Sequence, residues 1–304
     1  MQKSVLDDKR FHDEQAAYAY LEARLWPTGP VCPHCGGFDR ISKMRGKSTR
    51  VGVYKCYQCR KPFRVTVGTV FEASHVPLRL WLQCVHLMAS SKKGISSNQL
   101  HRTLGVTLKT AWFMSHRIRE AMRVVGVQPM GGEGLAVEVD ETYIGKMEGH
   151  ADMGGPAVKN MVVTLVERGG SARSFHTDGH SIADIVPIVR GNIARESRLM
   201  TDKALHYRRV GEEFAEHGSV EHAQFEWKRG DWHTNTVEGF YSIFKRGMRG
   251  TYQFCKEKHL HRYLAEFDFR YSNRVRLGVN DVARADRALK GIVGKRLTYQ
   301  TPNH

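Results

Sequence analysis

Hydrophobic and polar positions along the first 125 residues follow a helical rhythm. Apolar side chains recur every three to four positions over residues 5–26 and 77–91, which predicts a helix in each stretch. Residues 96–123 show the pattern of two short helices joined at Gly105. A helix, a glycine turn and a second helix in this length are typical of a helix-turn-helix motif.

From residue 135 onward the pattern changes to short runs rich in β-branched residues. Three such runs, at residues 135–142, 159–169 and 171–178, predict three successive strands. A helix is expected to begin after Ser181, and a further strand over Arg198–Thr201. This order predicts a mixed sheet of the ribonuclease-H kind, in which the first and fourth strands are neighbours.

The first of these strands combines apolar residues with acids. If side chains alternate between faces, Val137 and Val139 lie on one face and Glu138 and Asp140 on the other. Burying two carboxylates on one face is costly unless a positive group lies beside them. A divalent cation is one candidate, and the solvated face of an edge strand is the alternative.

Four cysteines near the N-terminus form two C-x2-C pairs, Cys32 with Cys35 and Cys56 with Cys59. The spacing between the pairs matches a structural zinc site, because two tight turns can each offer two thiolates to a tetrahedral ion. Uncoordinated or iron-bound cysteines are the alternative. The segment after the second pair, residues 63–72, alternates in the manner of a strand.

Charge is distributed very unevenly along the 304 residues. The net charge is +16, with +14 carried by residues 38–123, −6 by residues 124–227 and +9 by residues 228–296. Basic segments indicate a polyanionic partner such as nucleic acid. An acidic middle between two basic segments favours an enzyme that holds cations in a carboxylate site and binds phosphates on either side. The N-terminus lacks the apolar segment of a secretory signal, and no apolar run is long enough to cross a membrane.

The helix-turn-helix is expected to contact DNA. The alternative is an ordinary helical hairpin within a core, and the charge of the surrounding segment favours the first interpretation. The candidate DNA-contacting residues lie on the second helix: Lys109, Thr110, His116 and Arg117.

A third polar element follows the acidic middle. Asn235, Glu238 and Lys245 recur at spacings that place them on one face of a predicted helix. Asp140 ends the first strand and Asp202 ends the fourth, so both can face this helix. Two aspartates and a glutamate supply the oxygen ligands that two divalent cations need for phosphoryl transfer, and the lysine can bind a substrate phosphate as a point charge.

Several motifs together resemble one known family. CPHC, CYQC, VEVDETYIG, LMTD, HTNTVEGFYSIFKRGMRGTY and HLHRYLAEFDFRYSNR, spread over about residues 15–285, are similar to bacterial insertion-sequence transposases of the DDE type that carry an N-terminal zinc ribbon and an ISXO-type transposase domain. The resemblance implies a ribonuclease-H-like catalytic core, a divalent metal and recognition of terminal inverted repeats. In this family's pattern Asp140, Asp202 and Glu238 match the three acids, Lys245 matches the basic residue that follows the third acid, and Asn235 matches the first residue of the NTVE motif.

The expected fold is therefore α+β, with a zinc ribbon and a helix-turn-helix followed by a ribonuclease-H-like mixed-sheet core. The expected divisions are a helical lead-in (1–30), a zinc ribbon (31–75), a DNA-binding helix-turn-helix (76–125), a catalytic domain (134–255) and a basic C-terminal helical segment (256–304).

The expected function is a transposase that cuts element ends and joins the freed 3′-hydroxyl to target DNA. It would use catalytic Mg²⁺ or Mn²⁺ and structural Zn²⁺, and it would act as a homodimer or larger assembly on DNA in the bacterial cytoplasm, near the nucleoid and without a membrane partner. Two alternatives remain open, namely a metal-dependent nuclease without strand transfer and a non-catalytic DNA-binding regulator.

Overall fold

The computed structural model describes residues 4–126, 128–149, 155, 158–221 and 226–298. The α-helices in these ranges are α1 (Glu14–Leu25), α2 (Leu78–Ser90), α3 (Ser97–Leu104), α4 (Leu108–Met122), α5 (Ile182–Asn192), α6 (Leu205–Gly211), α7 (Asn235–Gly247), α8 (Leu260–Ser272) and α9 (Asp281–Lys290). The strands are β1 (Ile41–Lys43), β2 (Tyr54–Cys56), β3 (Pro62–Phe63), β4 (Ala136–Ile144), β5 (Asn160–Glu167), β6 (Ala172–Thr177), β7 (Arg198–Asp202) and β8 (Glu216–Val220).

The chain forms two compact units. Unit 1 contains the described residues of Met1–Ser91, Ile95–Met122 and Asp281–His304. Unit 2 contains those of Lys92–Gly94 and Arg123–Asn280. The segment 256–304, expected to form one basic C-terminal piece, is therefore divided between the units, with α8 in unit 2 and α9 in unit 1.

Unit 1 combines a small antiparallel sheet, in the order β1-β2-β3, with five helices among its described residues. The cysteines Cys32 and Cys56 are buried beside Phe63, and Trp26 and Tyr54 pack around them. The expected strand over residues 63–72 is wrong beyond Phe63. Turns begin at Val65, and Thr69 makes an isolated bridge to Val293. Turns therefore take the place of the strand that the alternating pattern predicted.

The predicted pair of helices is confirmed as α3 and α4. Gly105 ends α3 in the left-handed conformation with φ 65°, which a glycine adopts at little cost. The hydroxyl of Ser96 accepts the backbone N–H of Gln99 and caps the start of α3. Almost all of α4 from Met114 onward is buried, so this helix forms part of the core of unit 1.

Unit 2 is built on a mixed five-stranded sheet in the order β6-β5-β4-β7-β8. β4 pairs with β5 in antiparallel orientation and with β7 in parallel orientation. The expectation that the first and fourth strands of this region are neighbours is thus confirmed. The outer strand β8 and the short helix α6 were not anticipated from the sequence.

Helices cover both faces of this sheet. On one face, Val137 and Val139 of β4 pack with Ile185 and Val189 of α5 and with Tyr207 of α6. On the other face, the side chains of β5 and β6 pack against α7 and α8, with Val162, Val237, Phe244, Leu264 and Phe267 among the buried residues. This layered α+β arrangement fits the expected ribonuclease-H-like core. Among the described residues, none of the helices has both the length and the apolar character needed to cross a bilayer.

Candidate active site

The two aspartates of the predicted site lie side by side. In the parallel ladder, Val137 pairs with Leu199 and Glu138 pairs with Met200. The same register carried two residues further places Asp140 beside Asp202, at the carboxyl ends of adjacent parallel strands. Ligands of open α/β sheets bind at such ends.

A third carboxylate, Glu141, joins this pair. One carboxylate oxygen each from Asp140, Glu141 and Asp202 can be chosen so that all lie within 4.8 Å of one another, and all three residues are half-buried. The backbone N–H of Glu141 donates to Oδ1 of Asp140 at 2.8 Å, and the hydroxyl of Tyr207 donates to Glu141. Sequence reasoning missed Glu141, although the Asp-Glu pair at the end of an apolar strand was a signal that could have drawn attention to it.

The electrostatics of this cluster favour a cation. Burial raises the pKa of Asp140 to about 8, and the negative charge of Glu141 adds to the rise. The backbone N–H of Glu141 works in the opposite direction, while the charges of Asp202 and Glu238 raise the pKa further. Like charges held together out of water favour protonation unless a positive charge joins them. Clustered carboxylate oxygens are the ligands that hard divalent cations prefer, so the residues present fit such an ion.

Helix α7 presents the third predicted acid to this cluster. Glu238 lies in the first turn of α7 and accepts a hydrogen bond from the hydroxyl of Thr234 at 3.0 Å. Its charge reaches Asp140, although Glu238 is not part of the 4.8 Å group. Lys245 lies two turns further along α7, with Nζ 5.9 Å from the centre of the Tyr241 ring. Asn235 is exposed at the first position of the helix.

Two tethers fix α7 on the sheet. The hydroxyl of Tyr241 is within hydrogen-bond distance of the backbone carbonyls of Asp140, at 2.5 Å, and Val162, at 3.1 Å. At the start of the helix, the carboxylate of Glu138 accepts the backbone N–H groups of Thr236 at 2.7 Å and Val237 at 3.0 Å. The helix is therefore attached to β4 both beside Asp140 and two residues before it.

Glu138 is the buried anchor of this arrangement. Its side chain is fully buried, and Arg168 approaches it with Nε at 2.6 Å. His233 lies 3.3 Å from the same carboxylate. No partner of Glu138 could be identified from the sequence. In the structure its carboxylate is paired with the guanidinium of Arg168 and with the N-terminus of α7, whose partial positive charge favours an anion.

The four cysteines of the ribbon meet at one point, as their spacing predicted. Their sulfurs lie within 4.8 Å of one another, with Cys32 and Cys59 3.6 Å apart and Cys35 and Cys56 3.7 Å apart. Four sulfurs at about 2.3 Å from a tetrahedral Zn²⁺ are separated by about 3.8 Å. The sulfur positions therefore fit a structural zinc ion with no open coordination position.

The candidate DNA-contacting residues of α4 separate into two pairs. Lys109 is exposed and Thr110 is half-buried, both in the first turn. His116 is 0% exposed and Arg117 is 6% exposed. Arg117 donates to the backbone carbonyls of Glu72 at 2.9 Å and Leu297 at 3.2 Å. We therefore withdraw His116 and Arg117 as DNA contacts, because both side chains are committed to the interior of unit 1.

Comparison with known proteins gives results that agree with this geometry. Residues 131–272 match the family of ISXO2-like transposase domains. Residues 12–62 match the family of transposase zinc-ribbon domains. A relative from Halobacterium salinarum, described as an uncharacterized protein in transposable element ISH50, is 28% identical over 280 residues, which cover 86% of this chain and 92% of that protein.

Proposed function

We propose that this chain, which belongs to the ISXO2-like zinc-ribbon DDE transposases, cuts DNA at the terminal inverted repeats of an insertion sequence and joins the freed 3′-hydroxyl to target DNA. The observation that carries the proposal is the meeting of Asp140, Glu141 and Asp202 at the ends of two parallel strands. Helix α7, which carries Glu238 and Lys245, packs against β4, the strand of Asp140, and against β5.

Asp140, Asp202 and Glu238 are the residues proposed to hold Mg²⁺ or Mn²⁺, and Glu141 adds a fourth carboxylate to the same group. When bound, such cations activate the attacking oxygen and stabilise the leaving oxygen of a phosphodiester. The chain's own contribution is rigid placement, because β4 and β7 fix the two aspartates by backbone pairing and α7 is tethered at Glu138 and Tyr241.

Lys245 is proposed to bind the scissile phosphate or one adjacent to it. It lies on α7 seven residues after Glu238, which is about 10 Å along the helix axis. An ammonium group neutralises a phosphate without demanding a particular orientation. Asn235 is proposed as an exposed hydrogen-bonding group at the start of α7.

End recognition is assigned to the N-terminal part of the chain. The zinc ribbon holds its Zn²⁺ as a structural ion, and Lys109 and Thr110 at the exposed start of α4 are proposed as DNA contacts, since the first residues of a recognition helix contact base edges. A homodimer or larger assembly on DNA is part of the proposal, because two element ends must be held together. The proposed divisions of the chain remain those expected from the sequence, except that α9 is assigned to unit 1.

Substitution of the acids tests the reaction directly. Asp202→Ala is expected to abolish Mg²⁺-dependent cleavage of a DNA fragment carrying the element end, with end binding nearly unchanged in a mobility-shift assay. Glu238→Gln and Glu141→Gln, measured in parallel, show which glutamate completes the metal site. We expect the larger loss of cleavage for Glu238→Gln.

The alternatives give different results in the same assays. A nuclease without strand transfer would cut the fragment but yield no joined product with target DNA. A regulator would bind the fragment and show no cleavage with Mg²⁺ or Mn²⁺. If Asp202→Ala abolished both DNA binding and folding, the assignment of Asp202 as a metal ligand would be wrong.

A further inference from the structure

Beside the acids, unit 2 contains a cavity in whose lining only Lys245 has a part in the proposed reaction. We propose that this cavity is a phosphate subsite, in which Lys159 and Arg249 join Lys245 to hold the DNA backbone on one side of the cleavage point. The inference rests on the proposed function, since it names where that function's DNA substrate lies.

The cavity has a volume of about 260 Å³ and is formed by the end of β4, the start of β5 and the turn that follows α7. Its described lining consists of Tyr143, Ile144, Gly145, Lys159, Asn160, Lys245, Met248, Arg249, Gln253, Cys255 and Leu260. Three of these side chains are cationic. No carboxylate occurs among these lining residues, so the charge of the described lining itself attracts an anion.

The cavity adjoins the acid cluster. Tyr143, which lines it, lies three residues after Asp140 on the same strand. Tyr143 also lies two residues after Glu141, so both side chains project from the same face of β4. A DNA strand whose phosphate is at the acids therefore has its neighbouring phosphates near the cavity.

Distances along α7 support this placement. Lys245 follows Glu238 by seven residues, which corresponds to about 10 Å along a helix axis. The cavity therefore lies within reach of the phosphate next to the scissile one, in agreement with the position proposed for Lys245.

The backbone beside the cavity has an unusual conformation that positions its polar groups. A π-helical turn, Met248–Tyr252, follows α7, and Gln253 has φ 61°, a left-handed value that a residue with a side chain rarely adopts. The hydroxyl of Tyr252 donates to Glu266 at 2.6 Å and holds this turn on α8. π-Turns and left-handed residues concentrate at functional sites, and here they place Arg249 and Gln253 in the cavity lining.

Cys255 provides a direct measurement of occupancy, because it lines the same cavity. The experiment uses the zinc-loaded full chain, without Mg²⁺ or Mn²⁺, and a DNA duplex of about 30 base pairs at about ten times its Kd. The rate of alkylation of Cys255 by iodoacetamide is followed by peptide mass spectrometry. For the wild type, we expect bound DNA to slow this alkylation by about tenfold.

The variant K159A/R249A is expected to lose this protection while the DNA remains bound through the rest of the chain. The matched control K228A/R209A removes one lysine and one arginine that lie outside the cavity lining, and it is expected to keep the protection. The conservative variant K159R/R249K, which preserves both charges, is also expected to keep most of it.

Unchanged alkylation of Cys255 in the presence of bound DNA would overturn the proposal, as would full protection in K159A/R249A. Because the measurement requires no cleavage, it is independent of the catalytic assignment. If bound DNA protects Cys255 but the protein cuts no DNA with Mg²⁺, the phosphate subsite is supported and the proposed reaction is wrong.

Discussion

At the scale of single residues, β4 shows how surroundings separate two acids of similar chemistry. Glu138 is paired with Arg168 and with two backbone N–H groups of α7, so its negative charge is compensated inside the protein. Asp140, two residues later, lies with Glu141 and Asp202, and its pKa is raised. The first acid stabilises the fold, whereas the second lies among like charges, an arrangement that favours a cation.

Glu138→Ala is predicted to lower the free energy of unfolding of unit 2 by about 3–5 kcal/mol. The substitution removes the buried acceptor of two backbone N–H groups of α7 and of Arg168, which keeps only Asp231, at 3.0 Å, as an ion-pair partner among the described residues. Glu138→Gln is expected to cost less, since the amide oxygen can still accept an N–H of α7. The measurement is urea unfolding, followed by hydrogen exchange of β4 and α7.

The matched control is Glu216→Ala, which removes a more exposed partner of Arg198, 2.9 Å away. A surface pair of this kind contributes about 0–1 kcal/mol. Equal losses of stability in the two alanine variants would show that Glu138 is not the buried anchor of α7.

At the scale of elements, buried polar contacts as well as apolar packing hold α8 on the sheet. Asp268 of α8 accepts hydrogen bonds from the backbone N–H of Ser174, at 2.7 Å, and from its hydroxyl, at 2.6 Å. Burial raises the pKa of Asp268 to about 7, although the bonds from Ser174 and the charge of Arg173 lower it. The helix and the edge strand β6 are therefore joined through a group that titrates near neutrality.

The stability of unit 2 is predicted to depend on pH through Asp268. A carboxyl group whose pKa is raised by folding favours the folded state while it is protonated, so its contribution is present below about pH 4 and is lost as the pH rises to about 7. Asp268→Asn removes this ionisation. We expect the stability of the variant relative to the wild type to increase with pH over this range.

The free energies of unfolding of the wild type and of Asp268→Asn are compared by urea unfolding at several pH values between about 4.5 and 7.5. Hydrogen exchange of β5 and β6 reports on the local stability of the sheet. Other groups titrate in both proteins and cancel in the difference. A difference that stays constant or shrinks as the pH rises would contradict the role assigned to Asp268.

The elements that local patterns predicted correctly are those whose apolar residues recur with the period of a helix or a strand and face one hydrophobic core. The helices α2, α3 and α4 and the strands β4, β5, β6 and β7 all lie where hydrophobic periodicity indicated. The segment 63–72 failed because Val65, Val70 and Phe71 are buried by turns that pack on other parts of unit 1, so alternation there reflects burial and not a strand. β8 was missed because Glu216–Val220 has little apolar character and is placed by pairing with β7.

Part of the candidate site could also be predicted from the sequence, namely the two aspartates but not the partners of Glu138. The positions of Asp140 and Asp202 followed from the order of the strands, because neighbouring parallel strands bring their carboxyl ends together. The partners of Glu138 could not be predicted, since Arg168 is 30 residues away and the N–H groups of α7 nearly 100. Such contacts depend on tertiary placement, which no local pattern encodes.

At the scale of the whole molecule, the chain leaves unit 1 after α4, builds unit 2 and then returns. Helix α9 packs against α1, α2 and α4. Asp286 of α9 accepts hydrogen bonds from Arg24 at 2.7 Å and from Tyr20 at 2.5 Å, and Arg284 donates to the carbonyl of Ala89 at 2.9 Å. This return explains why α4 is buried, and with it why His116 and Arg117 cannot reach DNA.

Deletion of the chain from Asp281 onward is therefore predicted to unfold unit 1 and leave unit 2 folded. The deletion removes Ala288, Leu289 and Ile292, which are at most 2% exposed. Each large apolar side chain contributes about 1.5–3 kcal/mol by burial, and the polar contacts of Asp286 and Arg284 are lost as well. The sum approaches the whole stability of a domain, about 5–15 kcal/mol.

Hydrogen exchange measured by mass spectrometry checks this prediction, with loss of protection expected in α2 and α4 and retention in β4 and β5. Two neighbouring substitutions provide a graded control: Leu289→Ala is expected to cost about 2–5 kcal/mol, whereas the exposed Lys290→Ala is expected to change stability by less than about 0.5 kcal/mol. Full protection of α2 and α4 in the truncated chain would show that unit 1 folds without α9. If protection is lost as expected, DNA binding through the ribbon and α4 depends on residues at the opposite end of the sequence, and it will fail in any fragment that contains the first 125 residues alone.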